Sequence, residues 1–521
     1  MSQVTEESQF SKWRSYLWPI YNYELKKLLP MLAIFFLISF NYNILRTMKD
    51  AIVVPNAGGA EVIPFIKVWV MFPGSLLMTF LFTRLSNKIS RERVFYCLVS
   101  GFLFFFLIFT FVLYPLQDAI HPHAFADNMH ATLGDNFKGL VAMCRNWSFT
   151  LFYAFSELWG NIILMMLFWG FANQVTRLGE AARFYGLFGV GANMSGIIAG
   201  QVSAFLSKGD YNPNLPFGAT GWEQSMIILI GFITLSGIAA MGIFRWMHAN
   251  VLNDNRFYDP QDAKKDADVV GKLSLRECIS YLLKSRYLIS IAVIVLSYNI
   301  VINLVEVMWK DQVRELYPSS QDYNYYMSNI TTLIGFLATF ISLFVSSNLI
   351  RKLGWRFAAL STPVILLVTS VLFFGCFFLK KYNSELLMTL VPFSPLALVV
   401  GLGTLQNICS RGAKYTVFDA TREMAFVPLS PECKLKGKAV AEGVCSRLGK
   451  SGGSVIYQSL LLSFGTISAS APVVSGCIIF VIMVWTMATY RLADDFESLT
   501  SQGKPVAVPS LDDKGLAEQV V

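Results

Sequence analysis

What most constrains this chain is the recurrence of apolar stretches long enough to cross a bilayer, each needing about 20 residues as a helix. Such stretches fall near 28–50, 64–86, 94–116, 141–174, 183–206 and 223–247. After a polar interval, six more fall near 287–312, 323–349, 355–380, 386–421, 438–464 and 470–491. Only 15% of the residues are charged and 54% are hydrophobic. A soluble domain carries about 25% charged residues. The expected fold is therefore an all-α integral membrane protein with twelve transmembrane helices.

Loop charge orients the spans. Lys12, Arg14, Lys26 and Lys27 precede the first, and Arg84, Lys88, Arg91 and Arg93 join the second to the third. Lys264, Lys265, Lys272 and Arg276 crowd the central segment, and Arg351, Lys352 and Arg356 follow the eighth span. The alternate loops are poor in Lys and Arg, so the positive-inside rule places both termini in the cytoplasm. The expected organisation is a cytoplasmic N-terminal segment 1–27, a six-helix half 28–249, a cytoplasmic linker 250–286, a second half 287–492 and a cytoplasmic tail 493–521. The N-terminus, with Glu6 and Glu7 and no apolar core, does not read as a targeting sequence. The net charge of +8 fits basic loops and an anionic substrate, and no nucleic-acid-binding module accompanies it. Eight scattered cysteines without a C-x-x-C read as packing residues.

The halves resemble each other. "RLSNKISRERVF" at 84–95 matches "NLIRKLGWRFAA" at 348–359, and "RTMKDAIVVP" at 46–55 matches "EVMWKDQVRELYP" at 306–318. "GVGANMSGII" at 189–198 faces "SRLGKSGGSV" at 446–455. Two six-helix pseudo-repeats around a basic central loop are the plan of major-facilitator-like transporters.

Charges inside the spans are the functional signal, because each costs about 2.5–3.5 kcal/mol at the bilayer centre on insertion scales. Ser39, Asn43, Arg46 and Asp50 share one helical face of the first span, with Lys49 beside them. Asn299, Asn303, Glu306 and Lys310 repeat the same spacing in the seventh. The two stripes read as facing walls of one cavity. Blander readings exist: Glu306 and Lys310 as an i,i+4 pair, Asp50 paired with Arg46, and Lys49 and Lys310 snorkelling to the surface. Glu157, mid-span and with no basic residue within a turn, needs a partner on another helix. Asn193 sits on a glycine-rich helix, either for close packing or with its amide reading a base edge. His121, His123 and His130 read as solvated residues of an external loop, and no metal or catalytic cluster appears on a common span.

"SRLGKSGGSV" looks like the lysine end of a phosphate-binding loop. Gly443 is one residue too far from Gly449 for that motif, and no strand precedes it. Lys450 thus either snorkels or points inward, where Ser451, Gly452 and Gly453 leave room for a phosphate.

"NYNILRTMKDAIVVPNAGGAEVIPFIKVW", "SELWGNIILMMLFWGFANQVT", "NLVEVMWKDQVRELYPS" and "KYTVFDATREMAFVPLSPECKLKGKAVAE" closely resemble the ATP/ADP translocases of obligate intracellular bacteria and plastids, the chlamydial branch above all. The similarity runs from about Pro30 to Arg491. The resemblance implies exchange of host ATP for ADP by alternating access, without hydrolysis, with phosphate accompanying ADP in some members. It also implies a multi-pass protein of a bacterial inner membrane. Proton-driven net nucleotide importers share the pattern, so that alternative stays open. The family's functional lysines, glutamates and asparagine map onto Lys49, Glu157, Asn193, Glu306 and Lys450, and Arg46 and Lys310 join the expected substrate site. ATP carries about four negative charges and ADP about three, so a site for them needs several fixed cations. The expected partners are these nucleotides, with or without phosphate, and the lipid bilayer. Neither nucleic acid, metal, cofactor nor enzymatic activity is expected, and the chain is expected to act as a monomer.

Overall fold

The computed structural model describes residues 20–254 except 177, 285–429 except 345 and 391, and 444–502, together with residues 283, 437 and 441. Among the described residues the fold is all-helical and contains twelve long rods. The first half holds α1 (Leu25–Asn56), α2 (Val62–Lys88), α3 (Arg91–Ile108, continuing through Phe109–Leu113), α4 (Trp147–Val175), α5 (Leu178–Lys208) and α6 (Gly221–Asn250). The second holds α7 (Arg286–Leu316), α8 (Ser320–Phe344), α9 (Ser346–Tyr382), α10 (Pro395–Ala413, continuing through Lys414–Phe418 and Asp419–Ala425), α11 (Ser446–Phe464) and α12 (Ile467–Gln502). Most of the linker 250–286 and much of the tail 493–521 lie outside the described residues.

Local sequence sets the boundaries. Thr220 caps α6 by accepting from the Glu223 N–H, and the Glu223 carboxylate reaches back to the Ala219 N–H at 2.6 Å, a reciprocal cap on T-x-x-E. Ser394 caps α10 just ahead of Pro395, whose missing N–H costs nothing at a first helical position. The α1–α2 turn needs positive φ at Gly58 and Gly59, 84° and 98°, which only glycine adopts without strain. Gly354, at φ 83°, breaks α9 into two segments.

Eight rods are long and apolar enough to span a bilayer by composition: α1, α2, α3, α4, α6, α7, α9 and α12. The other four spend polarity on contacts inside the protein. α5 and α8 lie face to face across the two halves. Asn324 of α8 donates to Ser203 and Ser207 of α5 at 3.0 and 2.8 Å, Ser328 donates to Ser203, and Gln201 donates to Thr332. Gly335 lets the α5 backbone approach so closely that a Cβ there would stand 2.9 Å from the Asn193 carbonyl oxygen. α10 and α11 turn charged side chains toward the space between the halves.

The bonds between the halves gather toward one face. Asn56 donates to Ser320, Gln321 donates to the Gly209 carbonyl, and the Ile467 N–H at the start of α12 donates to the Glu61 carboxylate. Toward the opposite face, where α6 ends and α7 begins, no side-chain bond joins the halves among the described residues. Among the described residues, then, side-chain bonds close one end of the molecule and leave the other open.

The segment between α3 and α4 is not the loop expected. It forms short helices at Gln117–Ile120, His123–Leu133 and Lys138–Arg145. His121 is buried there against Ser148, with 2.7 Å between ring nitrogen and hydroxyl, so the solvated reading fails for it. Burial, with His123 nearby, lowers its pKa. His130 instead pairs with Asp135 at the surface. The six described cysteines are all free, as packing residues should be.

Candidate functional site

Between the halves lies a cavity of about 1530 Å³, counting its open mouth, lined by residues of α1, α2, α4, α7, α10 and α11. On α1 the face it meets is Tyr42, Arg46 and Lys49, a spacing of 4 and 3 that keeps three long side chains in line. The stripe expected from sequence is therefore rotated by one residue. Asn43 turns to α5, donating to Ser39 O at 2.9 Å and reaching Ser195 at 3.4 Å, and Asp50 turns to α7. On α7 the expected stripe holds at Asn299, Asn303 and Glu306, while Lys310 lies just behind the wall.

The deep end of the cavity is a closed network of ions. Asp50 sits between two lysines that occupy matching places in the repeats: Lys49 at 3.1 Å and Lys310 at 2.8 Å. Lys49 continues to Glu157 at 3.0 Å and lies over the Tyr153 ring at 3.9 Å. Lys310 continues to Glu306 at 3.0 Å, and Glu306 also accepts from Arg411 at 3.0 Å. Lys49, Asp50 and Lys310 are each about 2% exposed or less. None snorkels, Asp50 does not pair with Arg46, and the Glu306–Lys310 pair is one link of a chain rather than a self-contained unit. Among the described residues, Lys310–Asp50 is the single ion pair joining the halves.

The rest of the cavity is charged differently. Arg46, Lys67, Lys414, Arg447 and Lys450 face it with no carboxylate within 4 Å among the described residues. Lys67 donates to Asn303 Oδ1 at 2.6 Å, and Lys414 lies near the Tyr298 and Tyr415 rings at 5.7 and 5.2 Å. The lining thus carries seven cations against two carboxylates, Glu157 and Glu306. Fixed cations that line an open cavity without a protein counter-ion suit a polyanion.

Lys450 answers the question its motif raised. It lies in the first turns of α11, not in a phosphate-binding loop, and it is exposed to the cavity. Gly449 and Gly453 press α11 onto α7; Cβ atoms there would stand 2.7 Å from Asn299 and 3.0 Å from Asn303. Asn303 locks that contact by donating to the Lys450 carbonyl at 2.7 Å and to Ser454 at 2.8 Å.

Of the expected site residues, Arg46, Lys49, Glu157, Glu306 and Lys450 line the cavity, and Lys310 backs it. Asn193 stands apart, on the α5 surface that packs on α8. Sequence reasoning passes over Lys67, Arg411 and Lys414. All three are charges inside apolar runs, the same signal that exposes Lys49. Lys67 and Lys414 sit on π-helical turns, Ile66–Met71 and Lys414–Phe418, and Glu157 lies two residues ahead of a third, Trp159–Phe168. A π turn shifts the register of the residues after it and so moves a side chain out of an α-helical stripe.

The profile of the TLC ATP/ADP transporter family matches residues 3–496. ADP,ATP carrier protein 1 of Chlamydia pneumoniae is 42% identical over 490 residues, covering 94% of this chain and 95% of that one. The chloroplastic ADP,ATP carrier protein 1 of Arabidopsis thaliana is 40% identical, covering 92% of this chain and 75% of that one. Among solved structures, a bacterial homologue of the iron transporter ferroportin in an inward-facing state aligns with a TM-score of 0.53 at 15% identity, covering 88% of this chain and 99% of that one. The xylose transporter of E. coli, partially occluded and inward open, aligns at 0.50 with 10% identity, covering 89% and 97%. At such identities the likeness concerns the fold alone: two six-helix bundles of major-facilitator type.

Proposed function

The chain belongs to the TLC ATP/ADP transporter family, and from that premise we propose that it exchanges ATP for ADP across a membrane by alternating access. The observation that carries this reading is the set of five cavity cations without a carboxylate partner. The phosphate chain bridges them: Lys67, Lys414 and Lys450 act as point charges, and Arg46 and Arg447 as planar forks. These cations come from both halves, Arg46 and Lys67 from the first and Lys414, Arg447 and Lys450 from the second. Bound nucleotide therefore draws the halves together at the open end, and this differential contact is what biases one state over the other. The Lys310–Asp50 pair holds the far end shut and parts when the cavity opens there. With the basic loops in the cytoplasm, the open end faces inward, both termini are cytoplasmic, and the membrane is the inner membrane of a bacterium. The protein is a carrier rather than an enzyme, works as a monomer, and its cation-rich cavity has room for inorganic phosphate beside ADP.

Counterflow in proteoliposomes tests the proposal. Uptake of labelled ATP is expected only when ADP or ATP is present inside, and an imposed pH gradient is expected to leave the rate unchanged. Uptake into nucleotide-free vesicles that tracks the pH gradient would overturn exchange in favour of proton-coupled import.

A further inference from the structure

The cations are not spread evenly around the cavity. α2 and α4 form a wall that, beyond Lys67 and Glu157, presents Met71, Phe72, Ile162 and Met166. An apolar wall opposite a basic one suits a ligand with a flat apolar end and an anionic end. Three polar groups interrupt the apolar wall: Ser75 and Thr79 of α2, whose hydroxyls donate to the Phe72 and Ser75 carbonyls, and Asn161, exposed to the cavity from the π turn of α4. Three asparagines line the cavity, and two are committed. Asn299 donates to the Val295 carbonyl, and Asn303 is held by Lys67, Lys450 and Ser454. Asn161 makes no hydrogen bond among the described residues.

Its neighbour supplies a platform. Gly160 lets the Tyr42 ring of α1 lie directly against the α4 backbone; a Cβ at 160 would stand 2.6 Å from Tyr42 Cε2. An aromatic ring is thereby fixed against α4 at the residue before Asn161, on the lining of the same cavity, where it can stack on a planar base. Tyr42 belongs to the same α1 stripe as Arg46, so the platform and the nearest phosphate-facing cation are one helical turn apart.

We propose that this corner is the base subsite: the nucleobase stacks on Tyr42 against Met71, Ile162 and Met166, and the Asn161 amide reads its edge. The proposal rests on the nucleotide-exchange reading and adds which residue makes it selective for a base. A carboxamide offers one donor and one acceptor side by side, which matches adenine's ring nitrogen and 6-amino group. Guanine presents the reverse order at the same positions, a 6-carbonyl acceptor beside an N1–H donor, so an amide oriented to read adenine opposes both. The same geometry makes Gly160 a positioning residue, since any side chain there displaces Tyr42.

The test measures binding of ATP, GTP and inorganic tripolyphosphate to the purified full-length protein in detergent. For wild type, ATP is expected to bind more tightly than GTP. Asn161→Ala should lower the ATP:GTP preference by roughly tenfold, with tripolyphosphate binding unchanged. Asn161→Asp should tip the preference toward GTP, because a carboxylate accepts from the adjacent N1–H and 2-amino donors of guanine and repels the adenine ring nitrogen. Gly160→Ala should weaken both nucleotides while sparing tripolyphosphate. An unchanged ATP:GTP ratio in both Asn161 variants, with wild-type ATP affinity intact, would overturn the base subsite alone. Equal loss of tripolyphosphate and ATP would overturn it too, by making Asn161 a phosphate contact. Wild-type protein that binds tripolyphosphate and no nucleotide would overturn the exchange reading and the subsite together.

Discussion

The cavity holds two populations of charge that obey opposite rules. At the deep end every ion has a protein partner: Lys49, Asp50, Glu157, Lys310, Glu306 and Arg411 form one chain of contacts between 2.8 and 3.1 Å. Toward the open end Arg46, Lys414, Arg447 and Lys450 stand without a carboxylate within 4 Å among the described residues, as does Lys67 beside Asn303. Paired ions in a dry place are costly to desolvate and gain little net stability, but they penalise any structure that separates them. Such ions are suited to a latch. Unpaired cations along an open cavity lose little while empty and gain much from a polyanion, so they are suited to a substrate. The same residue types thus perform two tasks, and the difference is whether the fold supplies the counter-ion or leaves it to the ligand.

The most damaging way to probe that division is to cut the latch. Asp50→Asn leaves Lys310 and Lys49 short of a partner in the buried network, and removing one partner of such a pair costs about 3–5 kcal/mol. The expected result is a large drop in unfolding temperature in detergent together with loss of exchange. Asp50→Asn combined with Lys310→Met should be more stable than Asp50→Asn alone, since the stranded charge is gone. A double variant no more stable than the single would mean that Asp50 and Lys310 do not act as a pair.

Lys450→Gln should behave in the reverse manner. It removes a cation with no carboxylate within 4 Å among the described residues, so the unfolding temperature should hold while ATP and ADP affinity falls. A charge-assisted hydrogen bond is worth about 1.5–3 kcal/mol, or roughly 10- to 100-fold in affinity. Adenosine binding should be nearly untouched. Binding of ATP as tight as wild type would reassign Lys450 to a structural role.

Salt separates the populations without mutation. Raising ionic strength from about 0.1 to 1 M shortens the screening length from about 10 to about 3 Å. Ions along the open cavity feel that change, whereas the buried chain does not. Nucleotide affinity should fall several-fold across this range while the unfolding temperature moves little. Equal sensitivity of both readouts would erase the distinction.

How much of the molecule is legible in the sequence depends on whether a residue's task shows in its own helix. Spans and repeats do show, because hydropathy is local. The charge of Lys49, Glu157, Glu306 and Lys450 inside apolar runs shows for the same reason. Pairing between helices does not. Asp50 looks like a partner for Arg46 by spacing, yet it faces α7, because α1 turns Tyr42, Arg46 and Lys49 to the cavity instead. Nor do the π turns show: Ile66–Met71 and Lys414–Phe418 carry Lys67 and Lys414, and an ideal helical wheel misplaces residues beyond them. His121 reads as solvated only if its segment is a polar loop, and short helices there bury it against Ser148.

The smallest expected effect belongs to Asn193. Its context, "GVGANMSG", lies opposite the Lys450 segment in the repeat, which argues for a place in the substrate site. In the structure its helix packs on α8 instead: Gly335 approaches the Asn193 carbonyl oxygen, and the Ile197 side chain fills the same contact. That contact is made by backbone, which alanine preserves, and small residues at such a seam are tolerated because close helix approach is what the seam requires. Asn193→Ala should therefore change ATP affinity by less than about twofold, within the range of substitutions that remove no ligand contact. Replacing Gly335 with Leu attacks the same place from the other side and should be far more severe, since the new side chain meets the α5 backbone as well as the Ile197 side chain. The ordering is the check: Asn161→Ala should shift base preference while Asn193→Ala does not. A larger shift from Asn193 than from Asn161 would move the base to the α5–α8 seam and leave the α2–α4 corner as lining only.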